Sequence, residues 1–240
     1  MTAVPAFEGM GEKALPFLKA VGFHQSREWF QENKDIYEAH VRDPLGKLVE
    51  HLSACMEEEG LPFRGTRKTS MFRINRDIRF SKNKDPYNTH CSFVLTRTGT
   101  KKDQGLIYLH LHNDRSFVAG GFFGMSSDEL RAMRHALVDR YADVKRMLSS
   151  FESKGLALYD HGDGLKRTPK GFETVDDPQL QALIRNKHFS INRDIDNAVL
   201  TTPKLADIVV EHAHLCMPFC TFGWAAIDPV REAEALKNAE

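Results

Sequence analysis

No run of apolar residues in this chain approaches the roughly 20 that a membrane-spanning helix requires, so no segment is expected to cross a bilayer. Net charge is missing as well: 33 basic residues stand against 33 acidic ones. A balanced chain exerts no long-range pull on nucleic acid or anionic lipid, so overall charge argues for neither partner. The opening MTAVPAFEGMGEKALPF has neither a charged leader region nor a continuous apolar one. Secretion is therefore not expected, and the cytoplasm is the expected compartment. The four cysteines, Cys55, Cys91, Cys216 and Cys220, lie among apolar neighbours without a CxxC pair. They read as reduced, buried thiols rather than a disulfide frame or a zinc site.

Several fingerprints are absent too. Neither GxGxxG nor GxxxxGK[ST] spacing is met, although Gly120, Gly121 and Gly124 in VAGGFFGM precede a helix start; a strand whose glycines permit a bulge or close packing is the reading. There is no GxSxG elbow and no HExxH. No Pro/Gly/Ser linker divides the chain, so residues 1–240 are expected to form a single domain with a core over about 14–222. The tail at 225–240 is expected to be mobile or a fraying helix.

What is present is periodicity. After Ser26, a natural N-cap, Trp29, Phe30, Ile36, Tyr37 and Val41 recur at helical spacing, and Pro44 can open a second helix that Gly60 and Pro62 end. The middle of the chain changes period: CSFVLTRT, LIYLHLHN and SFVAGGFF predict an antiparallel meander. Ser126 and Glu129 then form a capping box ahead of LRAMRHALVDRYADVKRMLSSF, predicted as one helix. QLQALIRN predicts a short helix and KLADIVVEHAHLCMPF an amphipathic one after Pro203. The expected class is α+β: an antiparallel β-sheet (meander) with helices packed on one face and at its ends. The pentapeptide INRDI occurs at 74–78 and at 191–195, but its flanks share only a preceding phenylalanine, so it reads as coincidence or as two similar local turns.

The chain concentrates charge in one place. From Arg64 to Lys84 there are eight basic residues and one acid, Asp77. If 71–78 is extended, Arg76 lies with Phe72, Ile74 and Ile78 on the apolar side, where a guanidinium needs a partner to offset its desolvation. Asp77 faces the other way, towards Arg73 or Lys84. Structurally, these charges form an ion-pair network fixing the loop RFSKNKDPY. Functionally, they form an anion pocket for phosphate or carboxylate.

Together REWFQENKDIYEAHVRDP, FRINRDIRFSKNKDPYNTH, GGFFGMSSDELRAMR and RTPKGF resemble a family of uncharacterised bacterial and fungal proteins, catalogued only as a domain of unknown function. The resemblance covers about residues 14–222 and implies a single-domain protein whose characteristic polar residues include Arg73, Arg76, Asp77, Arg79, Lys84, Tyr87, His90 and Lys170. It implies no reaction and no cofactor.

Other candidates are sparser. His110 and His112 alternate in YLHLHN and face one side of a strand, and His90 could be a third metal ligand; core or solvated histidines are the alternative. Asp77 as base with Tyr87 or His90 as acid are the catalytic candidates. Lys166, Arg167 and Lys170 make a second basic loop. The expectation is thus a pocket of Arg73, Arg76, Arg79, Lys84, Tyr87 and Lys170 for a phosphate-bearing small molecule or nucleotide, with or without catalysis. A nucleic-acid or protein interaction module using the same basic loops is the alternative.

Overall fold

The computed structural model describes residues 6–237. Before the first strand come α1 (Ala14–Phe23), α2 (Arg27–Glu32), α3 (Lys34–Tyr37), a π-turn (Glu38–Arg42), α4 (Asp43–Glu58) and α5 (Arg67–Ser70). The meander β1 (Cys91–Thr96), β2 (Leu106–Leu111), β3 (Ser116–Phe122) follows, then α6 (Ser127–Asp139), α7 (Tyr141–Glu152), α8 (Pro178–Arg185), β4 (Phe189–Ile195) and α9 (Lys204–Lys237). The strands form one antiparallel sheet in the order β1-β2-β3-β4, and the class is α+β as expected. Two compact units are distinguished: Met1–Ala119 with Arg193–His214, and Gly120–Asn192 with Leu215–Glu240.

In the first unit, the Ser26 hydroxyl accepts from the Trp29 N–H and caps α2. Pro44 stands in the first turn of α4, as expected from its position. Proline has no N–H to give the carbonyl one turn back, so the chain widens into the π-turn, where Asp43 N–H bonds Glu38 O. The released His40 carbonyl accepts from Gly11 N–H at 3.1 Å instead. Helix α4 ends as foreseen. Gly60 sits at φ +69, with Leu61 N–H on Met56 O and Gly60 N–H on Glu57 O, the paired bonds of a Schellman cap.

The β1/β2 register runs from Cys91↔Leu111 to Thr96↔Leu106. Phe93, Leu95, Ile107, Leu109 and Leu111 are buried on one face and supply the core. On the other face Tyr108 and His110 of β2 remain partly exposed, whereas their β1 partners Val94 and Ser92 are buried there as well. The outer edge of β1 is covered by the preceding segment through the single bridges Arg64↔Thr96 and Met71↔Phe93, which occupy groups that would otherwise invite another strand.

The second unit carries the capping box: the Ser126 hydroxyl accepts from Glu129 N–H, and the Glu129 carboxylate accepts from Ser126 N–H. The single helix predicted after it is broken at Arg140, whose backbone turns to φ −120 and ψ 34. Arg140 then pairs with Asp143 in the first turn of α7, where a carboxylate suits the helix dipole. Arg134 is buried and donates to the carbonyls of Ile184 and Asn186, satisfying the end of α8. Helix α9 continues through the stretch read from sequence as a tail, as far as Lys237; residues 238–240 lie outside the described part.

The two copies of INRDI differ. Residues 74–78 are irregular with one bridge, Asn75↔Tyr87, whereas 191–195 belong to β4. The reading as two similar turns is therefore corrected: in β4, Phe189, Ile191 and Ile195 are buried by their partners, and tertiary burial overrides the polar residues between them.

Candidate functional site

The first unit contains a groove of about 1150 Å³ whose walls come from α2, α3, the π-turn, α5 and the segment 71–75, with Tyr87 and Lys101. Its two acids are already engaged. Glu38 pairs with Arg42 at 3.0 Å, and Asp43 takes Arg67 at 2.7 Å and Lys47 at 3.0 Å. Arg67 also reaches Glu50 at 2.8 Å by lying across Gly46, where a Cβ would stand 2.8 Å from the guanidinium. The Arg67 bond, then that of Lys47, holds the Asp43 carboxyl below its ordinary range.

The remaining cations are not so engaged. Arg27, Lys34, Lys68 and Arg73 line the groove and form no ion pair among the described residues, and Lys101 lies over the Phe72 ring at 5.2 Å. Burial, followed by the nearby Arg73 charge, lowers the pKa of Lys101. At the groove wall Tyr87, 4% exposed, stacks on Phe30 at 4.4 Å. Gln25 clamps the Tyr87 backbone, accepting from its N–H and donating to its carbonyl. The Tyr37 ring is tilted against Phe30 at 5.3 Å, and burial pushes its phenol up to about 12, so it stays protonated and able to donate.

Of the six residues expected to form an anion pocket, only Arg73 and Tyr87 line this groove. The stretch is not a strand and Phe72 is exposed, contrary to the extended reading; Arg76 is half-buried and donates to Asp85 O at 3.1 Å and to the Ser81 hydroxyl at 3.5 Å. Arg79 grips Asp77 through its backbone and side-chain N–H groups, so Asp77 is paired with neither Arg73 nor Lys84. Lys84 donates to Ile78 O at 3.0 Å. Lys170 is exposed in the second unit, beside Gly171. The segment 72–87 thus spends most of its cations on shaping its own loop. Arg76→Ala is expected to cost about 1 kcal/mol of stability, the worth of a typical hydrogen bond, while leaving anion affinity unchanged. Paired thermal melts and pyrophosphate titrations check this; a fivefold loss of affinity would return Arg76 to the site.

The catalytic candidates have separate partners. Arg79 holds Asp77 below its usual carboxyl range, which makes Asp77 a weaker base. The His90 ring stacks on His110 at 4.3 Å. His110 accepts from or donates to the Tyr108 hydroxyl at 3.0 Å and stacks on Phe117 at 4.9 Å, while His112 meets Thr89 at 3.3 Å. The three histidines do lie together, as alternation on β2 predicted. The His90 and His110 rings are stacked and His112 is tilted to His110 at 6.2 Å, and among the described residues no group of three or more metal-binding side chains converges.

The sequence reading missed Arg27, Lys34 and Lys101. Arg27 and Lys34 are seven apart, a spacing that keeps one side of a helical stretch, and this signal was legible. Lys101 is in the β1–β2 turn, and only the folded hairpin brings it to Phe72.

A family model described as a conserved hypothetical protein (DUF2461) matches residues 13–222. No curated protein and no solved structure matches the chain.

Proposed function

We propose, for a chain that belongs to the DUF2461 family of conserved hypothetical proteins, that the groove of its first unit binds a phosphate-bearing ligand. The observation that supports this is the asymmetry of charge within one concave surface. Both acids of the groove are neutralised by Arg42, Arg67 and Lys47, while Arg27, Lys34, Lys68 and Arg73 form no ion pair among the described residues, Arg73 acting on the Asp77 carboxyl only at longer range. Such clustering costs self-repulsion, which an anionic ligand relieves, and arginine offers a planar fork for phosphate oxygens. A neutral chain with a locally positive groove attracts anions only over about a Debye length, roughly 10 Å at 0.1 M salt. Binding of this kind suits a ligand that enters the groove.

Titration calorimetry with inorganic pyrophosphate tests the reading. Wild-type protein is expected to bind it, and Arg73→Ala to lose about tenfold in affinity, since a charge-assisted hydrogen bond contributes roughly 1.5–3 kcal/mol. The Arg73 side chain is exposed and has no ion pair to lose, so the variant should melt with the wild type. Equal affinities for wild type and Arg73→Ala, or no heat with either, would reject the groove as an anion site.

A further inference from the structure

One face of the sheet, partly exposed at Tyr108, His110 and Phe117 and buried along β1, carries a connected row of rings. Phe72 meets Tyr108 edge-on at 6.1 Å, Tyr108 lies 5.9 Å from Phe117, and Phe117 stacks on His110 at 4.9 Å. Cations stand at both ends: Lys101 at 5.2 Å over Phe72 and Arg115 at 5.3 Å over Phe117. Arg115 is also tied to Asp194 at 2.8 Å, which fixes it beside its ring. Phe72 is 42% exposed, as Phe23, Phe80 and Phe123 are to a greater degree, and its backbone N–H is held by Ser92 O at 3.0 Å. The row joins the groove, because Phe72, Arg73 and Lys101 line that groove as well.

We propose that the groove and this ring row together bind single-stranded nucleic acid, with phosphates on Arg73, Lys68 and Lys101 and unpaired bases stacked on Phe72 and along the row towards Tyr108 and Phe117. This rests on the anion-binding reading of the groove and names its ligand class. Charge and rings play different parts. Cations in a groove attract any polyanion and impart a steep salt dependence. A platform of rings beside them gains only from a ligand that carries flat π-faces at intervals along an anionic backbone. A duplex hides those faces within its own stack, and an acidic peptide has none, so the unpaired strand alone uses both features. A lone nucleotide would engage one ring, whereas the row continues over several.

The test compares oligothymidylate with an abasic deoxyribose-phosphate strand of the same length, an oligoglutamate and inorganic pyrophosphate, by fluorescence anisotropy and calorimetry at two salt concentrations. Oligothymidylate is expected to bind at least tenfold more tightly than the abasic strand or the oligoglutamate. Phe72→Ala is expected to lower the ratio of oligothymidylate to abasic-strand affinity about tenfold, and Phe72→Trp to restore that ratio. Arg73→Ala is expected to weaken all the anions that bind. Because Phe72 is exposed and its structural bond is made by backbone, both Phe72 variants should fold, which matching thermal melts would confirm. Equal binding of the thymidylate and abasic strands, unaffected by Phe72→Ala, overturns the stacking platform and leaves the anion groove standing. Oligoglutamate binding as tightly as oligothymidylate overturns the nucleic-acid assignment in favour of an acidic peptide. Failure of pyrophosphate and of both strands overturns the groove and this proposal with it.

Discussion

Gly121→Ala is expected to cost the protein 3 kcal/mol or more, the combined effect of a backbone strained for any L-residue and a collision that side-chain motion cannot relieve. Gly121 sits in β3 at φ +136, a region that essentially only glycine occupies. A Cβ there would be 2.1 Å from the carbonyl oxygen of Phe189 and 3.1 Å from the Cα of Ser190. Both obstacles are backbone atoms of β4, so relief requires the strands to part, and the fully buried Phe189 and Ile191 lie on that strand. In a chain of this size each kcal/mol moves the melting temperature by roughly 2–4 °C. A drop of about 6–12 °C is therefore expected, if the variant folds at all. Gly164→Ala is the control: its Cβ would meet nothing nearer than 3.6 Å, and its melting point should stay put. A Gly121→Ala protein melting within 2 °C of wild type would contradict this account of β3.

The same glycine shows where sequence reading succeeds and where it stops. That Gly120 and Gly121 mark a bulge or a close approach was legible in VAGGFFGM, because a strand interior loses stability from glycine unless something needs the space. What needs it was not legible: the neighbour is β4, whose INRDI stretch read as coincidence or as a local turn. Helix caps at Ser26, Ser126 and Gly60 were legible because their bonds are local. The π-turn before Pro44 was not, since its stability depends on Gly11, about 30 residues away, taking the His40 carbonyl.

The candidate site divides in the same way. Cation density pointed to 72–87, and that segment does supply Arg73, Ile74 and Tyr87 to the groove. Density could not say which charges were already engaged. Arg76 and Lys84 turn to backbone carbonyls and Arg79 turns to Asp77, choices set by the loop's path rather than its composition. The cations that face the groove come from three further segments, around residues 27–34, at 68 and at 101, and their convergence is a property of the fold.

Between about pH 6.5 and 4 the protein is expected to lose stability through His110, on the order of 1–2 kcal/mol once solvent screening of a partly exposed ring reduces the full 1.4 kcal/mol per pH unit. Burial is the main reason that its pKa falls from the ordinary 6.5 to about 4, followed by the charges of His90, His112 and Arg115. The Tyr108 hydroxyl at 3.0 Å can donate to the neutral ring, and burial keeps that phenol protonated. The sign follows from the proton count. With the folded pKa below the unfolded one, the unfolded chain takes up the proton first as pH falls, so acid favours unfolding. Stability is full above pH 6.5 and is lost progressively towards pH 4. His90, also lowered by burial and then by His112, adds in the same direction. Depressed carboxylates such as Asp43 release their contribution at lower pH, so the window that isolates the histidines is 6.5 to about 4.5. Urea melts across that window on wild type and His110→Gln should diverge, with the variant's curve markedly flatter. Parallel curves would mean that His110 titrates normally and is not enclosed by the ring row. Adding a chelator discriminates the remaining reading of His90, His110 and His112. A bound metal would make the acid slope depend on chelator, because protons and metal compete for the same nitrogens, whereas the stacked, desolvated rings of His90 and His110 without a metal would give the same slope with and without it.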